Sequence, residues 1–564
     1  MQAMAAARSG GRILVEQLKI HGVDTVFGVP GESYLAVLDA LHDANSIRFV
    51  ICRQEGGAAM MADAYGKLTG RPGICMVTRG PGATNASAGV HVAFQDSTPL
   101  ILFVGQVARD QMEREAFQEI DYRRMFGQMA KWVAEIDDPA RIPEFVSRAF
   151  HTATSGRPGP VVLALPEDML TQTAVVRDAL PYAPAQAAPA PGQLAELTAL
   201  LRAAERPLIM VGGSGWTQPA RDDLRKFSEA WGVPVTASFR TQDIFDNGHA
   251  NYAGDVGIGV NPALAARVKG CDLLLVLGAR LGEMTTSGYT LIDIPEPQMK
   301  LVHVYAGAEE LGRVYRPTLG IVSGMAAISQ GLAGLPAPGA DRFRVWREDA
   351  RRDYLDWVRP TAGPGAVQMA EIVSWLAGRL PDDAIVCNGA GNYTAWVHRF
   401  YRYRGWRTQL APTSGSMGYG LPAAVAAGIV SPERIVVCFA GDGCLQMTMQ
   451  EFGTACQAGA GLVLIVVNNG MYGTIRMHQE REYPTRVVGT DLANPDFVAW
   501  AASYGAPGEL VERTEQFAPA FERALSHAQT ARKPAVIEIR LDPDAINPRT
   551  TLSAIRQASL GSGR

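Results

Sequence analysis

The chain has 564 residues, 47% of them hydrophobic and 19% charged, with a net charge of −4. That length predicts three domains of roughly 150–200 residues each. The near-neutral balance, with no Lys/Arg cluster, argues against a nucleic-acid partner, and no run approaches the about 20 apolar residues of a membrane span.

From the N-terminus, the opening stretch carries no apolar core before a cleavage site, so no signal peptide is expected. The seven cysteines (52, 75, 271, 387, 438, 444 and 456) are odd in number, scattered and without a C-x-x-C pair. Buried free thiols in a reducing, cytoplasmic compartment fit them best. "IRFVIC" (47–52), "GICMV" (73–77), "PLILFVG" (99–105) and "PVVLALP" (160–166) read as buried strands separated by helix-length segments. A Pro/Ala-rich spacer (180–193) follows. "PLIMVGG", "DLLLVLG" and "KLVHVYA" repeat the strand pattern up to a second spacer (332–343). "AIVCNG", "RIVVCFAG", "LVLIVVNN" and "AVIEIR" repeat it again. Strands apolar on both faces and alternating with helices imply α/β domains with doubly wound parallel sheets. The expected domains are 1–180, 194–335 and 355–545, with a Ser/Gly-containing tail at 546–564. The first and last thirds are candidates for a shared architecture.

The stretch "FAGDGCL" (439–445) sets Asp442 between Gly441 and Gly443 at the end of an apolar run. Leu445, Met449, Phe452 and Cys456 then fall on one face of a predicted helix. Asp442 is therefore expected at the carboxyl end of a strand, where open α/β sheets bind ligands, with helix N–H groups beside it for a phosphate. The next run, "LVLIVV", ends in Asn468-Asn469-Gly470. A carboxylate, an amide oxygen and a backbone carbonyl are hard ligands suited to Mg²⁺ or Ca²⁺. Either half alone reads more readily as a turn with a helix-capping acid. Other motifs fall short: "GKL" lacks the Ser/Thr of a P-loop, "GGSGW" is not G-x-G-x-x-G, "SGSMG" is not a nucleophile elbow, and no H-E-x-x-H occurs.

Gly-Asp-Gly followed by Asn-Asn at this spacing resembles the thiamin diphosphate (ThDP) fingerprint. The segment 50–106, "VICRQEGGAAMMADAYGK…", resembles the pyrimidine-binding domain of acetolactate synthase and its relatives, and "GSMGYGLPAAVAAG" (415–428) resembles their aminopyrimidine-gripping segment. The resemblance implies pyrimidine, central and diphosphate domains in that order, ThDP and Mg²⁺ as cofactors, and a homodimer at least, with a homotetramer expected. It implies that Glu55 hydrogen-bonds N1′ of the pyrimidine and helps activate the cofactor. Met417 would bend ThDP, and Gly415 would hold its pyrimidine. Asp442, Asn469 and the Met471 carbonyl would bind the metal. Gly443, Cys444, Asn392 and Tyr393 would meet the diphosphate, with Gly441, Tyr472 and Gly473 completing the contacts. "GNY" (391–393) stands where the synthases carry Gly-Gln-His.

Phe117-Gln118-Glu119 matches the synthases' "FQE", placing Phe117 and Gln118 in the substrate pocket with Val29, Met284, Ile475 and His478. Gln118 and His478 join Glu55 as catalytic candidates, although His478 reads equally well as a structural histidine. Several positions depart from the synthases. Glu167 replaces the lysine of Pro-Lys-Asp. "ARLGEMTTSG" (279–288) puts Met284 in place of an arginine for the second keto acid. His478 replaces a tryptophan, and "HVYAG" (303–307) replaces an aspartate-rich segment. These changes weigh against FAD and favour an aldehyde or ketone acceptor. The expected function is a ThDP- and Mg²⁺-dependent carboligase/decarboxylase acting on a 2-keto acid such as pyruvate. The alternative is a non-decarboxylating lyase cleaving a 2-hydroxy ketone, 2-hydroxyacyl-CoA or cyclic diketone. A catalytically silent subunit is disfavoured by the presence of Glu55, Asp442 and Asn469.

Overall fold

The computed structural model describes residues 6–339 and 342–561. Two compact units emerge. One comprises the segment up to Ala185 with Ser414–Pro432 and Thr448–Gly461. The other comprises Gln186–Thr413, Glu433–Met447 and the segment from Leu462 onward.

The first unit holds a six-stranded parallel sheet in the order Arg48–Ile51, Thr25–Gly28, Gly73–Val77, Leu100–Gln106, Pro160–Pro166, Trp132–Glu135. Leu100–Gln106 and Pro160–Pro166 are buried along their whole length, which is why they read as unbroken apolar runs. Helices Glu55–Thr69 and Gly80–Asp96 approach unusually closely. A Cβ on Gly89 would lie 2.4 Å from that of Ala59, so this contact requires glycine.

The second unit holds two more six-stranded parallel sheets. The central one runs Tyr252–Asp255, Val235–Ala237, Pro207–Val211, Leu273–Leu277, Lys300–Tyr305, Leu319–Val322. The C-terminal one runs Gln409–Leu410, Ile385–Asn388, Val436–Gly441, Val463–Asn468, Ala535–Arg540, Gly508–Val511. Numbered within each sheet, the first and C-terminal sheets share the order 2-1-3-4-6-5, so the suspected common architecture of the outer thirds is present.

Four details depart from the sequence reading. The face drawn through Leu445 and Cys456 is not one helix: Asp442–Leu445 forms a single turn, the chain turns through 446–450, and a second helix starts at Glu451. The helix after the first spacer begins at Pro191, where proline suits a first turn. Helix Arg344–Trp357 lies beyond the expected end of the central domain, yet Ala350 and Tyr354 are buried in that domain's core. The tail contains the helix Leu552–Gly561, which packs on Gly473–Glu482 and pairs Arg556 with the fully buried Glu480 carboxylate at 2.5 Å. All seven cysteines are free and six are buried. No described helix is long and apolar enough to cross a membrane.

In the first unit, His21 stacks on Phe150 at 4.5 Å, and its Nδ1 accepts the Tyr182 N–H at 3.2 Å. Burial lowers its pKa from 6.5 to about 4. The folded chain therefore favours the neutral ring, and that stability is lost as pH falls from 6.5 toward 4 while the unfolded chain takes up the proton. His21→Phe keeps the stacked ring without the titration. Thermal unfolding of the variant should lose less stability than wild type over this acid interval; parallel pH profiles would contradict the assignment.

Candidate active site

The strand Val436–Gly441 delivers Asp442 to the carboxyl edge of the C-terminal sheet. It lies between Ile385–Asn388 and Val463–Asn468, and the first of these boundaries is where the strand order reverses, the switch point at which open sheets take ligands. Gly441 lies opposite Val467, so the turn after one strand meets the Asn468-Asn469-Gly470 turn after the next. Asp442 is 3% exposed. Its Oδ1 accepts the Gly443 N–H at 2.9 Å, and its Oδ2 accepts the Gly470 N–H at 2.9 Å and the Asn494 amide at 2.7 Å. Burial pushes the carboxyl pKa up, while these three bonds favour the anion.

The second turn is held as firmly. The Tyr472 N–H donates to the Thr490 carbonyl at 2.8 Å, and the Leu492 N–H to the Gly470 carbonyl at 2.9 Å. The Met471 carbonyl accepts the Gly473 N–H at 2.9 Å as the helix Gly473–Glu482 begins, keeping its second lone pair. Asn469, partly exposed, packs beside Gly473. Gly443 is obligatory, because a Cβ there would lie 2.6 Å from the Tyr472 ring. Among the described residues no group of three or more His, Cys, Asp or Glu is placed to hold a metal ion. The donors expected from the sequence, one carboxylate, one amide oxygen and one carbonyl, are oxygen ligands of the kind a hard divalent cation takes.

Asn392 and Tyr393 behave differently from each other. Asn392 is partly exposed and accepts the Thr474 hydroxyl at 2.9 Å. Tyr393 is turned inward: its hydroxyl accepts the Gly389 N–H at 3.0 Å and lies 3.4 Å from the Cys444 sulfur. Its ring lies 3.0 Å from where a Cβ on Gly441 would be. The Tyr393 hydroxyl is thus engaged inside the turn where the sequence leads one to expect a diphosphate contact. Tyr393 and the buried Cys444 thiol support the Gly441 turn from inside, leaving the Cys444 backbone for any ligand contact.

In the first unit, Glu55 is the first residue of helix Glu55–Thr69, and its Oε2 accepts the Asn85 amide at 2.9 Å. Asn85 belongs to helix Gly80–Asp96, whose Gly80 N–H donates to the Gln118 carbonyl at 2.9 Å. Gln118 has a left-handed backbone (φ 68°), and its neighbour Phe117 is 73% exposed. Val29 follows strand Thr25–Gly28, and its carbonyl accepts the Tyr34 hydroxyl at 2.5 Å. Gly415 (φ 69°) and Met417 lie in a loop anchored at its far end. Gly418 O accepts the Thr448 hydroxyl at 2.6 Å, and the Tyr419 hydroxyl donates to Asp63 at 2.6 Å.

The remaining pocket candidates belong to the second unit. Ile475 (55% exposed) and His478 are exposed residues of helix Gly473–Glu482. Met284 is half-buried in a turn beyond strand Leu273–Leu277. Sequence reading missed Asn85 and Asn494, the amides that orient the two carboxylates. Asn494 lies in "ANPDF", where Asn-Pro carries the signal of an ordinary turn.

Family models match the chain in three blocks. The N-terminal TPP binding domain of thiamine pyrophosphate enzymes matches residues 8–125, the central domain 194–332, and the C-terminal TPP binding domain 389–539. An acetolactate synthase large subunit from Parasynechococcus marenigrum (strain WH8102) is 32% identical, covering 94% of this chain and 87% of its own length. An acetolactate synthase from Mycobacterium bovis is also 32% identical, with 95% and 88% covered. The acetolactate synthase isozyme 2 large subunit of Escherichia coli (strain K12) is 29% identical, with 95% and 96% covered. With all three domains matched in order and homology running almost end to end, the chain belongs to the thiamine pyrophosphate enzyme family, together with the acetolactate synthases.

Proposed function

We propose that the protein is a ThDP- and Mg²⁺-dependent carboligase that decarboxylates pyruvate and joins the two-carbon unit to a carbonyl acceptor. The observation that carries this reading is the buried Asp442 carboxylate at the switch point, fixed by Gly443, Gly470 and Asn494 beside Asn469 and the Met471 carbonyl. The homology to acetolactate synthases supplies the substrate class.

When bound, ThDP supplies the nucleophilic carbon and the electron sink. Asp442, Asn469 and the Met471 carbonyl would hold Mg²⁺, and the backbone of Gly443 and Cys444 would lie against the diphosphate, with the Cys444 N–H as donor. Gly441, Tyr472 and Gly473 shape that cradle, with Asn392 at its rim. Glu55 would exchange a proton at pyrimidine N1′, with Asn85 orienting its carboxylate. Met417 would support the bent cofactor and Gly415 its pyrimidine. Val29, Phe117, Gln118, Ile475 and His478 would surround the substrate, with Gln118 and His478 as polar groups near the reacting carbonyl.

Met284 directs the acceptor choice. An acceptor carboxylate needs a cation, and the nearby Arg280 is already engaged by Glu310 at 3.3 Å. A neutral aldehyde or ketone therefore fits better than a second keto acid. The reaction needs no FAD, and a yellow, flavin-containing protein would overturn that part of the reading. The proposed pyrimidine, central and diphosphate domains keep the order expected at 1–180, 194–335 and 355–545, with the central one extended to take in Pro191 and helix Arg344–Trp357, in a homodimer or homotetramer of the cytoplasm. The large exposed apolar residues Phe117 and Ile475 support a partner subunit over these edges. A fully active monomer would contradict it.

Glu55→Gln should keep the Asn85 contact and cofactor affinity but lower pyruvate turnover by about 10²–10⁴-fold. The measurement is CO₂ release and product formation with ThDP, Mg²⁺ and a panel of keto acids and aldehydes. Unchanged turnover with cofactor bound would sink the assignment. Asn494→Ala removes one of the two donors on Asp442 Oδ2, leaving the Gly470 N–H, and should weaken Mg²⁺ binding by about 10–100-fold in a titration of ThDP-loaded protein. An unaltered Mg²⁺ affinity would remove Asp442 from the metal site as described.

A further inference from the structure

Helix Glu451–Ala458 opens on a carboxylate with no exposed surface. Its Oε1 accepts the backbone N–H of Gln54 at 2.9 Å and of Arg53 at 3.1 Å. Its Oε2 accepts the Thr454 hydroxyl at 2.7 Å. Arg53 and Gln54 are the two residues before Glu55, and Gln54 caps the helix that Glu55 begins. The Gln54 side chain accepts the Gly57 N–H at 2.9 Å, closing the same turn from inside. Gly57 marks where the carboxylate enters, since a Cβ there would lie 2.8 Å from both Cγ and Oε1 of Glu451. Arg53 to Gln457 Oε1 at 2.6 Å, and Arg48 to the Ala458 carbonyl at 2.5 Å, continue the seam.

An acid serving only its own helix dipole gains that stabilisation while solvated. Full burial carries a desolvation cost, here met by two N–H groups and one hydroxyl. Burial pushes the Glu451 carboxyl pKa up, and the bonds to Thr454, Arg53 and Gln54 oppose it. Both backbone donors come from the turn that aims Glu55.

We infer that Glu451 is a positioning residue for Glu55: by holding the N–H groups of Arg53 and Gln54, it sets the position from which the Glu55 carboxylate meets the pyrimidine. This rests on the role proposed above for Glu55. Reacting groups displaced by about 1 Å can lose on the order of 10²-fold in rate, so a loosened turn should be costly although Glu451 touches no reacting atom.

The test compares wild type, Glu451→Ala, Glu451→Gln and Gly57→Ala. Hydrogen exchange at Arg53 and Gln54 is measured without cofactor, and pyruvate kcat and KM with ThDP and Mg²⁺. Glu451→Ala should speed exchange at both amides and lower kcat about 10–100-fold with little change in KM. Glu451→Gln, which keeps an acceptor oxygen, should restore most of both. Gly57→Ala displaces the carboxylate without deleting it and should act like Glu451→Ala; it decides the matter if the latter fails to fold. Unchanged exchange, or fast exchange with normal kcat, overturns the inference. Glu55→Gln measured alongside separates the two readings: if it leaves turnover intact the role of Glu55 fails, while the exchange rates still report whether Glu451 holds the turn.

Discussion

The constraint on which the C-terminal sheet's edge depends is a buried carboxylate that has to remain an anion. Asp442 sits where water is nearly absent, so each of its oxygens needs donors. Gly443 supplies one, Gly470 a second and Asn494 a third. Each comes from a different segment, so satisfying one carboxylate fixes three loops. The same demand explains the small residues around it. Tyr472 covers Gly443 at a distance that leaves no room for a Cβ, and Tyr393 underlies Gly441 so closely that a Cβ there would be tightly crowded.

A related economy runs through the first unit. Glu55 is oriented by Asn85 on the neighbouring helix, and that helix starts where its Gly80 N–H binds the Gln118 carbonyl. Movement of the Phe117–Gln118 loop is thereby connected to the helix that carries the Glu55 partner. Gly89 of that helix meets Ala59 of the Glu55 helix at a distance that leaves no room for a Cβ, so the two helices approach closely.

Much of this was legible from the chain. Long apolar runs such as 100–106 and 463–468 became strands because burial on both faces demands apolar side chains at every position. Short strands such as Thr25–Gly28 and Trp132–Glu135 were missed, since four residues hold too little pattern to stand out from a helix flank. The break at 446–450 was also missed: spacing alone suggested one helix, whereas the chain divides there. The inward packing of Tyr393 against Gly389 and Cys444 was not legible from its place in "GNY", because rotamer direction is set by neighbours distant in sequence.

By itself the sequence determined the parallel α/β architecture and the placing of Asp442 and Asn469 at strand ends and of Glu55 at a helix start. Strand-end and helix-start signals are local, and periodicity records which faces are buried. Tertiary structure alone decided the shared 2-1-3-4-6-5 order of the outer sheets, and the choice of Asn494, Asn85 and Glu451 as partners of the site segments. Those partners lie 52, 30 and 397 residues from the groups they bind. A hydrogen bond between groups that far apart leaves no period in the sequence, and exists only once packing has removed the water that would otherwise satisfy both.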